Sequence, residues 1–328
     1  VAAARLGASA VPVTPLGLGA ATLGNLFAPV TDEDARAAVD AAWDAGVRYF
    51  DTSPHYGLGL SERRLGEALR DRPRDAFTLS TKVGRLLEPT GSGGAYTGGT
   101  DAGFAVPVTH RRVWDFSADG VRRSLEDSLQ RLGLDRVDVV YLHDADECGD
   151  GGEQALREGY PALERLRAEG VVGAIGAGMN QVAGLERVVR ETDADVVLCA
   201  GRLSLLDQQA ALTLLPEAEK RGRSVVVGGV FNSGLLADPQ PGATFDYRAA
   251  SVDLLGRALR IKAIAEGHGV PLRAAALAFP FRYAAVAGVL VGMRTAAEAT
   301  DAAAMLAVGV PDELWDELRA EGLLGEGL

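Results

Sequence analysis

Cysteine, histidine, methionine and aromatic residues are scarce in this chain. Of 328 residues, two are cysteine, four histidine and three methionine, and 6% are aromatic. Cys148 and Cys199 are too few and too far apart for a disulfide scaffold or a cysteine-based metal site. They fit a reducing compartment, so the cytoplasm is the expected location. Basic residues are outnumbered 33 to 45, and the formal charge of −12 argues against nucleic acid or an anionic membrane as partner, since either wants a basic face. No stretch approaches the roughly 18 uninterrupted apolar residues of a spanning helix, and the first residues lack the basic start and apolar core of a signal peptide. There is no Gly-x-Gly-x-x-Gly fingerprint, no Walker loop and no Gly-x-Ser-x-Gly elbow, which disfavours Rossmann, P-loop and α/β-hydrolase chemistry. Gly176-Ala177-Gly178 comes nearest to the first of these but lacks the third glycine.

What the chain does have is a long alternation. Hydrophobic residues make up 47% and charged residues 24%, enough apolar side chain for a large core. Short runs rich in Val, Leu and Ala alternate with amphipathic helical stretches from one end to the other, which predicts a parallel sheet. Eight such runs are read near Leu16-Ala21, Val47-Asp51, Phe77-Lys82, Val137-His143, Val171-Gly176, Val196-Ala200, Ser224-Gly229 and Gly288-Gly292. Eight units of strand and helix in 328 residues predict a single (β/α)8 barrel over residues 1–328, with no second domain. After Ser117, a predicted N-cap, Val121, Leu125, Leu129 and Leu132 recur at helical spacing up to Gly133, a predicted stop. Long loops interrupt the rhythm. Gly91 to Gly99 reads as a mobile loop on the active rim, with an interdomain linker the alternative, and Phe231 to Tyr247 and the short acidic segment Cys148 to Gly152 as rim loops of the kind that shape substrate and cofactor sites. The tail beyond Pro311 carries Trp315 and Leu318 on one helical face, suited to covering the outside of a barrel.

A barrel delivers the last residues of its strands to one rim, and here Asp51, Tyr56, Lys82 and His143 fall at or just past the ends of predicted strands. An ammonium near a phenol favours the phenolate, so Lys82 would lower the pKa of Tyr56, Asp51 would hold Lys82 charged, and His143 would donate to a substrate oxygen. Such a set exchanges a proton with an alcohol or carbonyl. Each residue alone also has a structural use: a turn cap, a packed ring, a snorkelling amine, a satisfied core histidine. Rival chemistries are a metal-dependent hydrolase built on His143, Asp144, Asp146 and His55, and a Schiff-base aldolase on Lys82. The first is weakened because His110 and His268 fall in loop or helix contexts. A non-catalytic cofactor-binding barrel is the third alternative. Backbone N–H groups after the seventh and eighth strands, in Asn232-Ser233-Gly234 and Gly292-Met293-Arg294-Thr295, fit a phosphate site, and by their residues alone a solvated loop and an ordinary helix start fit as well.

The stretches Phe50-Asp51-Thr52-Ser53-Pro54-His55-Tyr56-Gly57 with Ser61-Glu62, then Ser80-Thr81-Lys82-Val83-Gly84, then Leu142-His143, resemble the aldo-keto reductase superfamily, and the likeness spans almost the whole chain. It implies that Tyr56 transfers the proton, that Lys82 and Asp51 tune it, that His143 orients the reacting oxygen, and that a nicotinamide cofactor lies extended across the rim. Ala200 to Gln208 and Gly228 to Leu236 resemble a bacterial sugar-dehydrogenase branch, L-fucose dehydrogenase or D-threo-aldose 1-dehydrogenase, which includes pyridoxal 4-dehydrogenases. Hydride transfer between a nicotinamide and the anomeric carbon of an aldose, giving a lactone, is the activity so implied, with pyridoxal or a simple aldehyde or ketone as alternative substrate. The resemblance places Asn180, Arg202, Phe231, Asn232, Ser233, Gly234, Leu235, Gly292, Arg294 and Glu298 at the cofactor, and no metal. Two positions depart from the superfamily: Gly176 to Asn180 stands where a Ser-Asn pair grips the carboxamide, and Arg202 where glutamine is usual. Glu298 stands where an arginine often meets the 2′-phosphate of NADP, so NAD is favoured, while Arg294 pulls the other way. Oligomeric state is not legible.

Overall fold

Eight parallel strands close into a barrel in the computed structural model, which describes residues 3–91 and 100–325. They are β1 (Leu16–Gly19), β2 (Tyr49–Asp51), β3 (Thr78–Val83), β4 (Val139–His143), β5 (Ala174–Met179), β6 (Val196–Ala200), β7 (Ser224–Gly228) and β8 (Val286–Gly292), paired in chain order, with β8 closing on β1. Both faces of such strands are covered, which is why they read as continuous apolar runs without alternation. Tyr49, Tyr141, Leu198, Val226 and Leu290 fill the interior, and Leu6 and Val13, carried by the antiparallel pair Ala4–Arg5 and Pro12–Val13, close the lower end. A second apolar layer lies between barrel and helices. The helix Ala118–Leu132 shows its logic: Ser117 Oγ accepts from the Gly120 N–H at 3.0 Å, Val121, Leu125 and Leu132 are buried, and Gly133 ends it at φ 63°. In the tail helix Asp312–Ala320, Trp315 and Leu318 are buried against the barrel's outer layer, with Trp315 6.1 Å from Phe279.

The fifth strand is displaced from its expected position. Val171 and Val172 look like strand, but their N–H groups bond back to the Leu166 carbonyl and finish the preceding helical turn. The strand is the glycine-bearing stretch three residues later. A Cβ at Gly176 would stand 1.6 Å from the Val196 carbonyl oxygen, so neighbouring strands approach here only because the side chain is missing. The shift carries Met179 to the strand end and Asn180 onto the rim.

The excursion after β3 is ordered at its base. Gly84, at φ 101°, turns the chain where a side chain would strike the Phe116 ring, and Arg85–Pro89 then pairs antiparallel with His110–Trp114. His110, expected in a loop or helix, begins the returning strand. Of the predicted glycine loop, Ser92 to Gly99 lies outside the described residues. The Phe231 to Tyr247 excursion leads into a second small pair, Thr244–Phe245 with Arg248–Ala249. Among the described residues, no helix is long and apolar enough to cross a membrane.

Candidate active site

Asp51 and His143 close β2 and β4, Lys82 is the penultimate residue of β3, and Tyr56 stands in the turn after β2. All four converge on one rim. Lys82 Nζ lies 2.6 Å from Asp51 Oδ2 and donates to the Thr52 carbonyl and the Tyr56 hydroxyl, both at 3.0 Å. The Lys82 and Asp51 side chains are only 2% and 3% exposed, so the pair is fully desolvated and its geometry is fixed from below. Ser80 Oγ donates to Asp51 Oδ1 at 2.7 Å and lies 3.3 Å from the Tyr49 hydroxyl, which in turn meets that of Tyr141 at 3.0 Å. This polar column through the barrel interior was not among the sequence expectations. Its signal was present, because Tyr49 and Ser80 have the same inward parity as Asp51 and Lys82 on their strands.

Burial penalises Lys82 as an ammonium, but Asp51 and the Tyr56 hydroxyl offset this and hold it above its ordinary range. Tyr56 departs from expectation. Burial pushes its phenol up to about 12, and the opposing pull of Lys82 does not overcome that. The side chain is therefore a protonated acid at neutral pH, ready to donate, and Lys82 limits a shift that burial alone would make larger. Burial, with Arg85, Lys82 and His55 nearby, holds His143 well below its usual range, so the ring is neutral. Ser53 Oγ already accepts the His55 N–H at 3.2 Å and lies 3.0 Å from His143 Nδ1. With Nδ1 accepting from the Ser53 hydroxyl, the ring proton sits on Nε2, and Asp144 Oδ2 is 3.3 Å from that nitrogen. The Tyr56 and His143 rings are 5.9 Å apart and perpendicular, with the phenol and Nε2 flanking the same space.

Around this space stand residues the sequence reading did not single out as one group. His55 packs 5.3 Å from Phe104 and 5.7 Å from His143; burial and then Arg85 drive its pKa to about 2. Arg85 lies 2.5 Å from Asp144 and 3.1 Å from Glu147, and its guanidinium stacks over Trp114 at 4.2 Å. Arg112 pairs with Asp101 and donates to the His55 carbonyl. Among the described residues, no group of three His, Cys, Asp or Glu is disposed to hold a metal ion.

The residues expected at the cofactor line the same rim from β5 to β8. Arg202 Nε donates to the Asn180 carbonyl at 3.1 Å, while Nη1 reaches Asp207 at 3.3 Å and Asp246 at 2.8 Å, so this guanidinium ties two loops together. Asn232 is buried, donates to the Gly201 carbonyl at 3.3 Å, and leaves Oδ1 without a partner among the described residues. That orphaned acceptor fits a ligand carrying amide or hydroxyl donors. Asn232, Ser233 and Gly234 run through positive φ at 45°, 57° and 106°. The phosphate cradle expected there is narrower than the sequence suggests. The N–H groups of Asn232, Gly234 and Leu235 are spent on the carbonyls of Gly229, Phe231 and Asn232. The Leu235 side chain is in the core and Phe231 packs against it. Gly292 closes β8. Glu298 has a local role that sequence reasoning missed. Thr295 Oγ1 caps the helix by accepting the Glu298 N–H at 3.2 Å, and Glu298 Oε2 reaches back to the Arg294 N–H at 2.7 Å, a near relative of the capping box readable in Thr295-x-x-Glu298.

A (β/α)8 barrel with acid, amine, phenol and imidazole meeting at its C-terminal rim defines the class. Residues 15–321 match the Aldo/keto reductase family, and the chain belongs to that family of NAD(P)-dependent oxidoreductases acting on small molecules. Among individual proteins it is 46% identical to the D-threo-aldose 1-dehydrogenase of Pseudomonas sp, over 97% of this chain and 96% of that one. It is 41% identical to the pyridoxal 4-dehydrogenase of Microbacterium luteolum, over 97% of each. Its fold matches an aldo-keto reductase of Bacillus halodurans solved in holo form, at TM-score 0.76 and 24% identity over 99% of this chain and 97% of that one.

Proposed function

We propose that the chain, as one barrel domain, is an aldose 1-dehydrogenase that oxidises the anomeric carbon of an aldopyranose to a lactone. The observation that carries this is the hydrogen-bonded line Asp51–Lys82–Tyr56, at 2.6 and 3.0 Å, beside a neutral His143. In oxidation Tyr56 takes the proton of the anomeric hydroxyl, and Lys82 stabilises the phenolate that must form first. His143 Nε2–H donates to the same oxygen and fixes its direction. A bound nicotinamide supplies the acceptor for the hydride leaving that carbon. Asn180, Arg202, Phe231, Asn232, Ser233, Gly234, Leu235, Gly292, Arg294 and Glu298 would hold the dinucleotide, Leu235 through its backbone carbonyl alone, since its N–H is spent on Asn232. The crowd of donors and acceptors beyond Tyr56, formed by His55, Arg85, Asp144 and Glu147, suits a polyhydroxylated substrate better than an apolar aldehyde. The 46% identical aldose dehydrogenase supports the same choice. Pyridoxal is the second reading, carried by the 41% identical relative. A panel of aldopyranoses, pyridoxal and simple aldehydes, each assayed with both nicotinamides, decides between them. Highest catalytic efficiency on an aldopyranose is expected, and highest efficiency on pyridoxal would replace this reading by the second.

Cofactor choice follows from Glu298, whose carboxylate would repel a 2′-phosphate and accept from free ribose hydroxyls. Because Glu298 also holds Arg294, Glu298→Arg removes the repulsion and releases Arg294 together. The native protein is expected to prefer NAD. In the variant the ratio of catalytic efficiencies should move toward NADP by about tenfold or more, the effect of about 1.4 kcal/mol. A native preference for NADP, or an unmoved ratio, would contradict this.

A further inference from the structure

The residue after His143 is held in an uncommon conformation for a reason the proton-transfer line does not supply. Asp144 sits in the left-handed region at φ 42° and ψ 46°, which is costly for a residue with a Cβ. Its N–H is anchored to the Gly178 carbonyl at 2.8 Å. The turn folds the carboxylate back over the strand end, leaving Oδ2 3.3 Å from His143 Nε2. Arg85 clamps the same oxygen at 2.5 Å and is itself fixed by Glu147 at 3.1 Å and by stacking on Trp114. Among the described residues, the side-chain contacts of Asp144 fall on Oδ2, so Oδ1 is left to accept from a ligand. The Asp144 side chain keeps 16% exposure beside the buried His143.

The placement has a stereochemical consequence. Oδ2 is 3.3 Å from His143 Nε2, so a substrate with gauche oxygens on adjacent carbons can set the reacting one against Nε2 and the other against the carboxylate. The group that meets Asp144 is thus the substituent one carbon from the reacting centre. A carboxylate accepts but cannot donate, so it rewards a hydroxyl there and gives nothing to a hydrogen or an ether.

We propose that Asp144, oriented by Arg85, is a substrate-specificity residue that accepts a hydrogen bond from the hydroxyl on the carbon next to the reacting carbon, selecting 2-hydroxy carbonyl compounds and aldoses over their deoxy analogues. This rests on the seating of the reacting oxygen at Tyr56 and His143 proposed above. It does not require a cyclic sugar.

The test uses two small aldehydes in the reduction direction, 2-hydroxypropanal and propanal, with the native enzyme, Asp144→Asn and Asp144→Ala. A hydrogen bond to a charged group contributes about 1.5–3 kcal/mol, so both variants should lose about 10–100-fold in kcat/KM on 2-hydroxypropanal. On propanal the loss should be at least about tenfold smaller, because any share that acts through the Asp144 contact with His143 falls equally on both aldehydes. Differences in intrinsic reactivity between the two aldehydes cancel, because each variant is compared with native enzyme on the same pair. Equal losses on both would overturn the proposal, since Asp144 would then only position His143; so would no loss on either. A second measurement needs no variant: the native enzyme should reduce 2-hydroxypropanal at least tenfold more efficiently than 2-methoxypropanal, and equal efficiencies would overturn it. Failure of the aldose reading is seen separately, as absence of lactone from any aldopyranose while both aldehydes are still reduced.

Discussion

Tyr56→Phe is expected to lower turnover by about 10²–10⁴-fold, the usual consequence of removing a positioned acid or base. Affinity for the dinucleotide should stay nearly intact, because the lost hydroxyl bonds Lys82 and the reacting oxygen, and the ring that packs against His143 and Phe104 is kept. The native pH profile carries the same assignment. Oxidation needs the phenol deprotonated, and burial holds it up at about 12, so the oxidation rate should climb with pH through the neutral and alkaline range. Reduction uses the protonated phenol, so by the same assignment its rate should stay level through the neutral range and fall only as pH nears 12. Titration of cofactor fluorescence with stopped-flow turnover on native and variant protein separates binding from chemistry. A variant with native turnover would remove Tyr56 from the reaction.

Lys82→Met should be harsher, because it strikes stability as well as chemistry. Asp51 would be left as a buried carboxylate with no cation, and breaking a buried pair in this way costs about 3–5 kcal/mol. The phenol would also lose the one neighbour that favours its ionised form strongly. Denaturant unfolding should show the loss, and adding Asp51→Asn should restore much of the stability without restoring turnover. Stability unchanged in the single variant would mean that the ion pair does not hold the site together.

The contrast between these residues and their surroundings shows what a sequence makes visible. Asp51, Lys82 and His143 were legible because strand ends in a barrel share a rim, and the Val-rich runs of β4, β6 and β7 set the rhythm from which those ends are read. β5 was misplaced because Val171 and Val172 have the stronger strand composition, while Gly176 and Gly178 look like loop until the close approach of β6 explains them. Glu298 was placed at the cofactor by the resemblance, while the cap that the Thr295-x-x-Glu298 spacing permits went unread and the bond to the Arg294 N–H emerges only in three dimensions. Burial set the Tyr56 proton affinity, and burial of a turn residue depends on what packs over it, here Phe104 from a distant segment. The Arg85–Asp144 contact spans 59 positions and joins the hairpin after β3 to the turn after β4, so no local pattern announces it.

The most direct test of the account is the identity of the product formed from an aldopyranose. Native enzyme is incubated with L-fucose labelled at C1 and with NAD, and the labelled carbon is followed by NMR while cofactor reduction is counted in the same sample. A lactone carbonyl growing in step with one reduced cofactor per sugar is the predicted result, absent in Tyr56→Phe. Turnover of pyridoxal or simple aldehydes with no lactone from L-fucose or any other aldopyranose would contradict it.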